Sequence, residues 1–282
     1  MLKNKKVAFL GAGSMAEAII SGMIQAEKLP SEHIIVTNKS NQERRNDLEN
    51  KYGITGVKLD ELNLDEIDMV VLAMKPKDAE KALYSIKNQL NSSHIIISVM
   101  AGITTSYIED CINEQCQVVR VMPNTSSMIG QSTSGMSFGS TVQNESVSLC
   151  KELVGTFGEV FVIDEDKMDL FTGIAGSGPA YFYYLMEHIE QVAIDGGLDS
   201  ETARKIGVQT MLGASQMMVE QEESPSELRE NVTSPNGTTA AGLHALKKNG
   251  AGNAISQAIK SAAKRSKELS SKEPELVLTA SR

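Results

Sequence analysis

The chain has 282 residues, with 27 Lys plus Arg against 36 Asp plus Glu, a formal net charge of −9, 41% hydrophobic residues, 4% aromatics and no Trp. The apolar share is too high for a disordered chain. An acidic balance without a basic block or aromatic platforms excludes a nucleic-acid groove.

No apolar run approaches the ~20 residues of a membrane span, so no membrane association is expected. Cys111, Cys116 and Cys150 form no C-x-x-C pair. Neither a disulfide framework nor a metal site is implied, and a reduced, cytoplasmic compartment fits.

The first half alternates short aliphatic runs with longer amphipathic ones. In chain order, the spacing predicts a strand at Val7–Leu10, a helix over Met15–Glu27, a strand at Ile34–Thr37 and a charged helix over Asn41–Tyr52. It continues with strands at Met69–Met74, Ile95–Met100 and Val118–Met122, and a helix over Asp78–Leu90 after Lys75-Pro76. Nearly continuous β-branched runs are the pattern of parallel strands buried on both faces, and their alternation with helices means a doubly wound α/β sheet. Strand-like pieces at Thr133–Phe138 and Glu159–Ile163 flank a helix over Glu145–Phe157. After Asp164 the strand signal ends, and 167–196, 200–220, 224–231, 238–249 and 251–270 read as helices. Two domains are therefore expected, 1–164 and 165–282. The apolar faces of the second are too wide for one small bundle, which predicts an obligate homodimer through it, the alternative being a self-contained monomeric bundle.

Gly11-Ala12-Gly13-Ser14-Met15-Ala16 is G-x-G-x-x-A placed between a strand and a helix. Gly11 permits the tight turn, Gly13 lets backbone approach a pyrophosphate, and Ala16 lets the helix pack closely; the helix start offers free N–H groups. The second strand ends in Asn38-Lys39-Ser40, with Arg44 and Arg45 a turn later, where NAD sites carry Asp or Glu. No carboxylate repels a 2′-phosphate, so NADPH is the expected cofactor, with NADH possible. Ala73-Met74-Lys75-Pro76 and Ala101-Gly102 follow later strands at the ligand-binding edge; the stem of Lys75 is expected beside the nicotinamide ribose rather than as a base.

Three further polar clusters stand out. Arg120-Val121-Met122-Pro123-Asn124-Thr125 leaves a strand at the same edge, where Asn124 can orient nicotinamide or substrate. Gly176-Ser177-Gly178-Pro179 kinks or starts a helix, and fits either ligand contact or close packing at a dimer seam. Val232-Thr233-Ser234-Pro235-Asn236-Gly237-Thr238-Thr239 precedes a helix, and fits either a carboxylate site or ordinary capping. No cluster holds a nucleophile–base pair or metal ligands, so a cofactor must carry the chemistry.

The ordered motifs GAGSMA, TNKS, AMKP, VMAG, RVMPNT, GSGPAYF and SPNGTTAAGL resemble those of the pyrroline-5-carboxylate reductase family, from Lys6 to about Arg265. The resemblance implies hydride transfer from C4 of NAD(P)H to the C=N carbon of 1-pyrroline-5-carboxylate, giving L-proline, the last step of proline synthesis. It implies an N-terminal α/β Rossmann-like domain and an all-α C-terminal domain that interlocks as a dimer, often assembled into decamers. It also assigns roles. Backbone N–H groups of Gly237 and Thr238, in the loop Ser234–Thr239 that includes Asn236, hold the substrate carboxylate, and the Thr239 hydroxyl bonds the ring nitrogen. Met122, Asn124, Ser177 and Glu222 complete the expected substrate set, and the loop faces a nicotinamide held by the other chain. Departures from the family pattern are Asn236 for Gly, Ser126 and Ser127 where many members have Pro and Ala, and Ser132 for Gly. Asn is the least costly non-glycine residue at positive φ. A β-hydroxyacid dehydrogenase shares the layout but needs a second-half Lys at the nicotinamide, and neither Lys167 nor Lys205 lies in these motifs.

Overall fold

A computed structural model describes residues 2–39, 41–112 and 115–271. Eight strands, β1 (Val7–Leu10), β2 (Ile34–Thr37), β3 (Thr55–Val57), β4 (Met69–Leu72), β5 (Ile95–Ser98), β6 (Gln117–Met122), β7 (Ser132–Phe138) and β8 (Gly158–Val162), form one sheet. Their order is β3-β2-β1-β4-β5-β6-β7-β8. Only β6 and β7 pair antiparallel. Val7 of β1 stands opposite Ile34 on one side and Met69 on the other. The winding direction reverses at β1, and the carboxyl end of β1 is the crevice where such sheets bind ligands.

Side-chain alternation divides the core. Val7 and Phe9 face one buried cluster with Ile19, Ile20 and Met23 of α1 (Ser14–Gln25) and Leu149 and Leu153 of α5 (Asn144–Val154). Ala8 and Leu10 face the other, with Leu83 and Ile86 of α3 (Ala79–Ile86) and Ile108 of α4 (Thr105–Cys111). Both faces are covered, which is why the strands carry no alternation of polarity. The helix α2 (Gln42–Tyr52) buries only Arg45 and Leu48, so polar contacts carry most of its attachment.

Two elements have little sequence signal. β3 is a three-residue edge strand with no fully buried side chain. The seven-residue α4 is marked only by its cap, where Thr104 Oγ1 accepts from the Tyr107 N–H at 3.1 Å. The strands β4 and β5 end two residues before their apolar runs do, because periodicity cannot see where a neighbouring strand ends.

The expected helix over 167–196 is three pieces: α6 (Met168–Phe171), a wide π turn over Thr172–Gly176 and α7 (Gly178–Asp195). Then come α8 (Ser200–Glu220), α9 (Pro225–Asn231), α10 (Thr238–Lys248) and α11 (Ala251–Ser271). One compact unit ends at Ser177 and resumes at Ser261; the other is Gly178–Lys260. Within the second, Phe182, Tyr183 and Val192 of α7 and Ile206, Leu212 and Val219 of α8 are exposed. Among the described residues, no helix is long and apolar enough to cross a membrane.

Candidate active site

The chain leaves β1 at Gly11 with φ +116°, and a Cβ there would lie 2.6 Å from the Ala73 carbonyl oxygen. Only glycine fits that conformation and that space. Gly13 caps α1 without a side-chain cap, and its carbonyl accepts from the Glu17 N–H at 3.0 Å. The N–H groups of Ser14, Met15 and Ala16 therefore precede the first helical bond and have no acceptor within the helix. A Cβ at Gly13 would meet nothing within 4 Å, so the space above the helix start is open. Ala12 and Ala16 are buried beneath it. Open space, free donors and the positive helix end suit a pyrophosphate.

At the end of β2, the Thr37 hydroxyl donates to the Phe9 carbonyl at 3.1 Å. The Asn38 side-chain oxygen accepts from the Asn41 N–H at 3.1 Å, and its carbonyl accepts from Arg45 Nη1 at 2.7 Å. Lys39 is exposed; Ser40, the third expected contact, lies outside the described residues. The two arginines divide their work. Buried Arg45 shapes the loop. Arg44 lies over the glycine loop, donating through Nε to the Ala12 carbonyl at 2.9 Å and through Nη2 to Glu17. Glu17 also accepts from Lys51 Nζ at 2.8 Å and the Tyr52 hydroxyl at 3.2 Å. Hydrogen bonds from Lys51, then Arg44, hold its pKa at about 2. Sequence reading placed Arg44 near the cofactor but had no signal for its pairing with α1.

Ala73 and Met74 are half-buried after β4, Lys75 and Pro76 are exposed, and Ala101 and buried Gly102 follow β5. Since β1, β4 and β5 are parallel neighbours, these segments share one edge with the glycine loop. Met122, at the end of β6, and Asn124 are buried. The Asn124 amide Nδ2 donates to the Ala175 carbonyl at 3.0 Å, and the half-buried Ser177 sits two residues further on.

Arg120, in the same motif, is 2% exposed on β6 and donates through Nη1 to Glu165 at 3.1 Å. Glu165 also accepts from the Thr105 N–H at 2.9 Å and hydroxyl at 2.6 Å. This network joins β6, the start of α4 and the turn before α6. Its partners are too distant in sequence to have been read there. Burial pushes the Cys150 thiol up to about 12 and raises that of Cys111, so neither offers a thiolate near neutral pH.

In the second unit, α9 begins with a capping box between Ser224 and Glu227. After it, the Thr233 hydroxyl donates to the Arg229 carbonyl at 2.6 Å. Asn236 then takes φ +59°, the conformation expected of an Asn in glycine's place. The Gly237 N–H donates to the Ser234 carbonyl at 3.1 Å, and Gly237 caps α10 with no side-chain cap. Of the two donors expected from the resemblance, Gly237 is thus engaged within the turn. Thr238, Thr239 and Ala240 present N–H groups that precede the first α10 bond, Ala241 to Gly237 at 3.1 Å. Ser234, Asn236, Thr238 and Thr239 are exposed, as is Glu222 between α8 and α9.

A family profile described as "Pyrroline-5-carboxylate reductase dimerisation" matches residues 165–269, and one described as "NADP oxidoreductase coenzyme F420-dependent" matches 6–102. Pyrroline-5-carboxylate reductase 1 of Bacillus spizizenii is 58% identical over 267 residues, 95% of this chain and 90% of the relative. The Bacillus subtilis enzyme of the same name gives the same figures, 58% with 95% and 90% coverage. Among solved structures, a Plasmodium falciparum pyrroline carboxylate reductase with NADP bound superposes with a TM-score of 0.88 at 28% identity, covering 96% of this chain and 100% of that one.

Proposed function

This chain belongs to the pyrroline-5-carboxylate reductase family, and we propose that it uses NADPH for the family reaction. It is an NAD(P)H-dependent oxidoreductase that reduces 1-pyrroline-5-carboxylate to L-proline, and it carries the family's dimerisation domain. The proposed division assigns 1–164 to the nucleotide and 165–282 to dimerisation and substrate, the loop of one protomer serving a cofactor held by its partner.

The glycine loop and the start of α1 hold the pyrophosphate, with Ala73–Pro76, Ala101 and Gly102 lining the same edge. Lys39, Asn38, Ser40 and Arg44 offer charge and donors, without a competing carboxylate at the strand end, to a 2′-phosphate. When bound, the reduced nicotinamide supplies the hydride. The protein's own task is positioning, the main source of acceleration for such a step.

The observation that carries the substrate reading is the start of α10. Positive-φ Asn236 turns the chain so that the N–H groups of Thr238 and Thr239 emerge at an uncapped helix end. A carboxylate docks on such donors with the helix dipole in its favour. In this reading the Thr239 hydroxyl accepts from the protonated ring nitrogen, with Ser234, Met122, Ser177 and Glu222 as further substrate contacts. Hydride addition neutralises the iminium, so the carbon needs no general acid in that step.

Mixing enzyme, NADPH and 1-pyrroline-5-carboxylate and following nicotinamide absorbance tests the reaction: substrate-dependent oxidation is expected, and none above the blank refutes it. Thr239→Val is expected to lower both turnover and imino-acid affinity. Turnover with NADH equal to or above that with NADPH would refute the cofactor preference.

A further inference from the structure

We infer that Asn124 is a positioning residue that supplies the hydrogen-bond donor Pro179 withholds, fixing the π turn that carries Ser177 against the carboxyl end of β6. In a continuous α-helix the Ala175 carbonyl would accept from the N–H of residue 179. That residue is proline and has no N–H. Here the Asn124 amide meets the gap, donating to the Ala175 carbonyl at 3.0 Å. The carbonyl lies in the π turn over Thr172–Gly176, which the Ser177 N–H closes by reaching back to the Thr172 carbonyl at 2.8 Å. Wide turns of this kind inside helices are frequent at functional sites.

Every other polar group of Asn124 that can fix its geometry is used. Its N–H donates to Ser132 Oγ at 3.1 Å. Its carbonyl accepts from Ser127 Oγ at 2.7 Å, and its side-chain oxygen accepts from the Ser126 N–H at 3.1 Å. The three partners are serines; the Asn124 carbonyl also accepts from the Ser127 N–H at 3.1 Å, so the loop from 124 to 132 is tied at both ends of this residue. Asn124 is 7% exposed, so its amide is committed inward. Its oxygen and one amide hydrogen are spent within the chain, which makes it a poor direct ligand and a rigid tie. The tie matters because Met122 and Asn124 leave the sheet at the edge assigned to the nicotinamide, and Ser177 closes the turn it holds. A misplacement of about 1 Å at such a site is enough to cost large factors in rate.

This inference rests on the reductase reading, and the test keeps the two apart. Wild type, Asn124→Ala, Pro179→Ala and the double variant are compared as purified oligomers, in single-turnover hydride transfer, steady-state kinetics and thermal melting. Asn124→Ala is expected to slow hydride transfer at least tenfold. Pro179→Ala restores a backbone N–H at 179, so the Asn124→Ala penalty in that background is expected to shrink at least threefold. An unchanged penalty overturns the inference. So does an Asn124→Ala enzyme that melts earlier but transfers hydride at the wild-type rate, since the amide would then be structural only. A wild type without turnover overturns the family reaction instead, and the melting temperatures of the same four proteins still test the tie: no coupling between the two substitutions refutes it.

Discussion

Arg44 donates its Nε–H to the Ala12 carbonyl at 2.9 Å, so a residue of α2 braces the glycine loop from outside. The same guanidinium pairs with Glu17 of α1, and α2 has little else to hold it, since Leu48 is its one buried apolar side chain. A polar clamp between two helices therefore fixes the position of the glycine loop.

Arg44→Met should weaken NADPH more than NADH. The expected change in calorimetric affinity is about tenfold for NADPH, the size of one charge-assisted contact, with NADH shifting by less than about threefold. An equal loss for both would mean that Arg44 only braces the loop.

Glu17 should leave a signature in acid. Its folded-state pKa, about 2, lies below the ordinary 4.5. Its contribution to stability is present above the unfolded value and is lost as pH falls from about 4.5 towards 2. Glu17→Gln should melt below wild type at pH 7, and that gap should narrow as pH drops from about 5 to about 2.5. A gap independent of pH would remove the ion pairs from the explanation.

Gly11→Ala should be severe. Its Cβ would stand 2.6 Å from backbone oxygen at φ +116°, and strain plus overlap are worth about 2–5 kcal/mol. The expected result is a melting point several degrees lower and no measurable NADPH binding. Near-normal affinity would show that the turn relaxes at little cost.

Asn236 offers a graded case. Asn236→Ala forces a β-carbon residue without local hydrogen bonding to φ +59°, at about 1–2 kcal/mol. Imino-acid KM should rise while NADPH affinity stays fixed. Asn236→Gly should restore the wild-type value, and equal KM for all three would mean that the turn does not shape the carboxylate site.

Removing the carboxylate from the Arg120 network should destabilise the sheet unit. Glu165→Ala strands a guanidinium that is 2% exposed, at about 1.5–3 kcal/mol for the lost charge-assisted bonds. Glu165→Gln, which keeps an acceptor oxygen, should lose less. Urea unfolding distinguishes them: a Glu165→Gln midpoint equal to that of wild type would show that the charge contributes nothing.

Much of this was legible in the residues. The glycine loop, seven of eight strands and the helix ends after 164 are signalled within a few positions, because a turn, a cap or a buried stripe is set by local backbone chemistry. The motif order resembled one family, and through that resemblance Asn236 stood where a glycine is usual, at a position where Asn is the least costly residue if φ is positive. The break at Gly176–Pro179 was legible too, since α7 starts at Gly178; local signals failed where an element was too short to have a period, as in β3, or where a helix widened without a breaker inside it, as at 172–176.

The sequence by itself determined which segments turn, pair or coil, and which donors stand at helix starts. Only the tertiary structure decided who satisfies whom. Arg44 meets Ala12 across 32 positions, Arg120 meets Glu165 across 45 and Asn124 meets Ala175 across 51. Such contacts leave no periodicity in the chain. They arise because the sheet order brings distant segments to one edge, and each buried polar group there must find a partner or lose its hydration uncompensated.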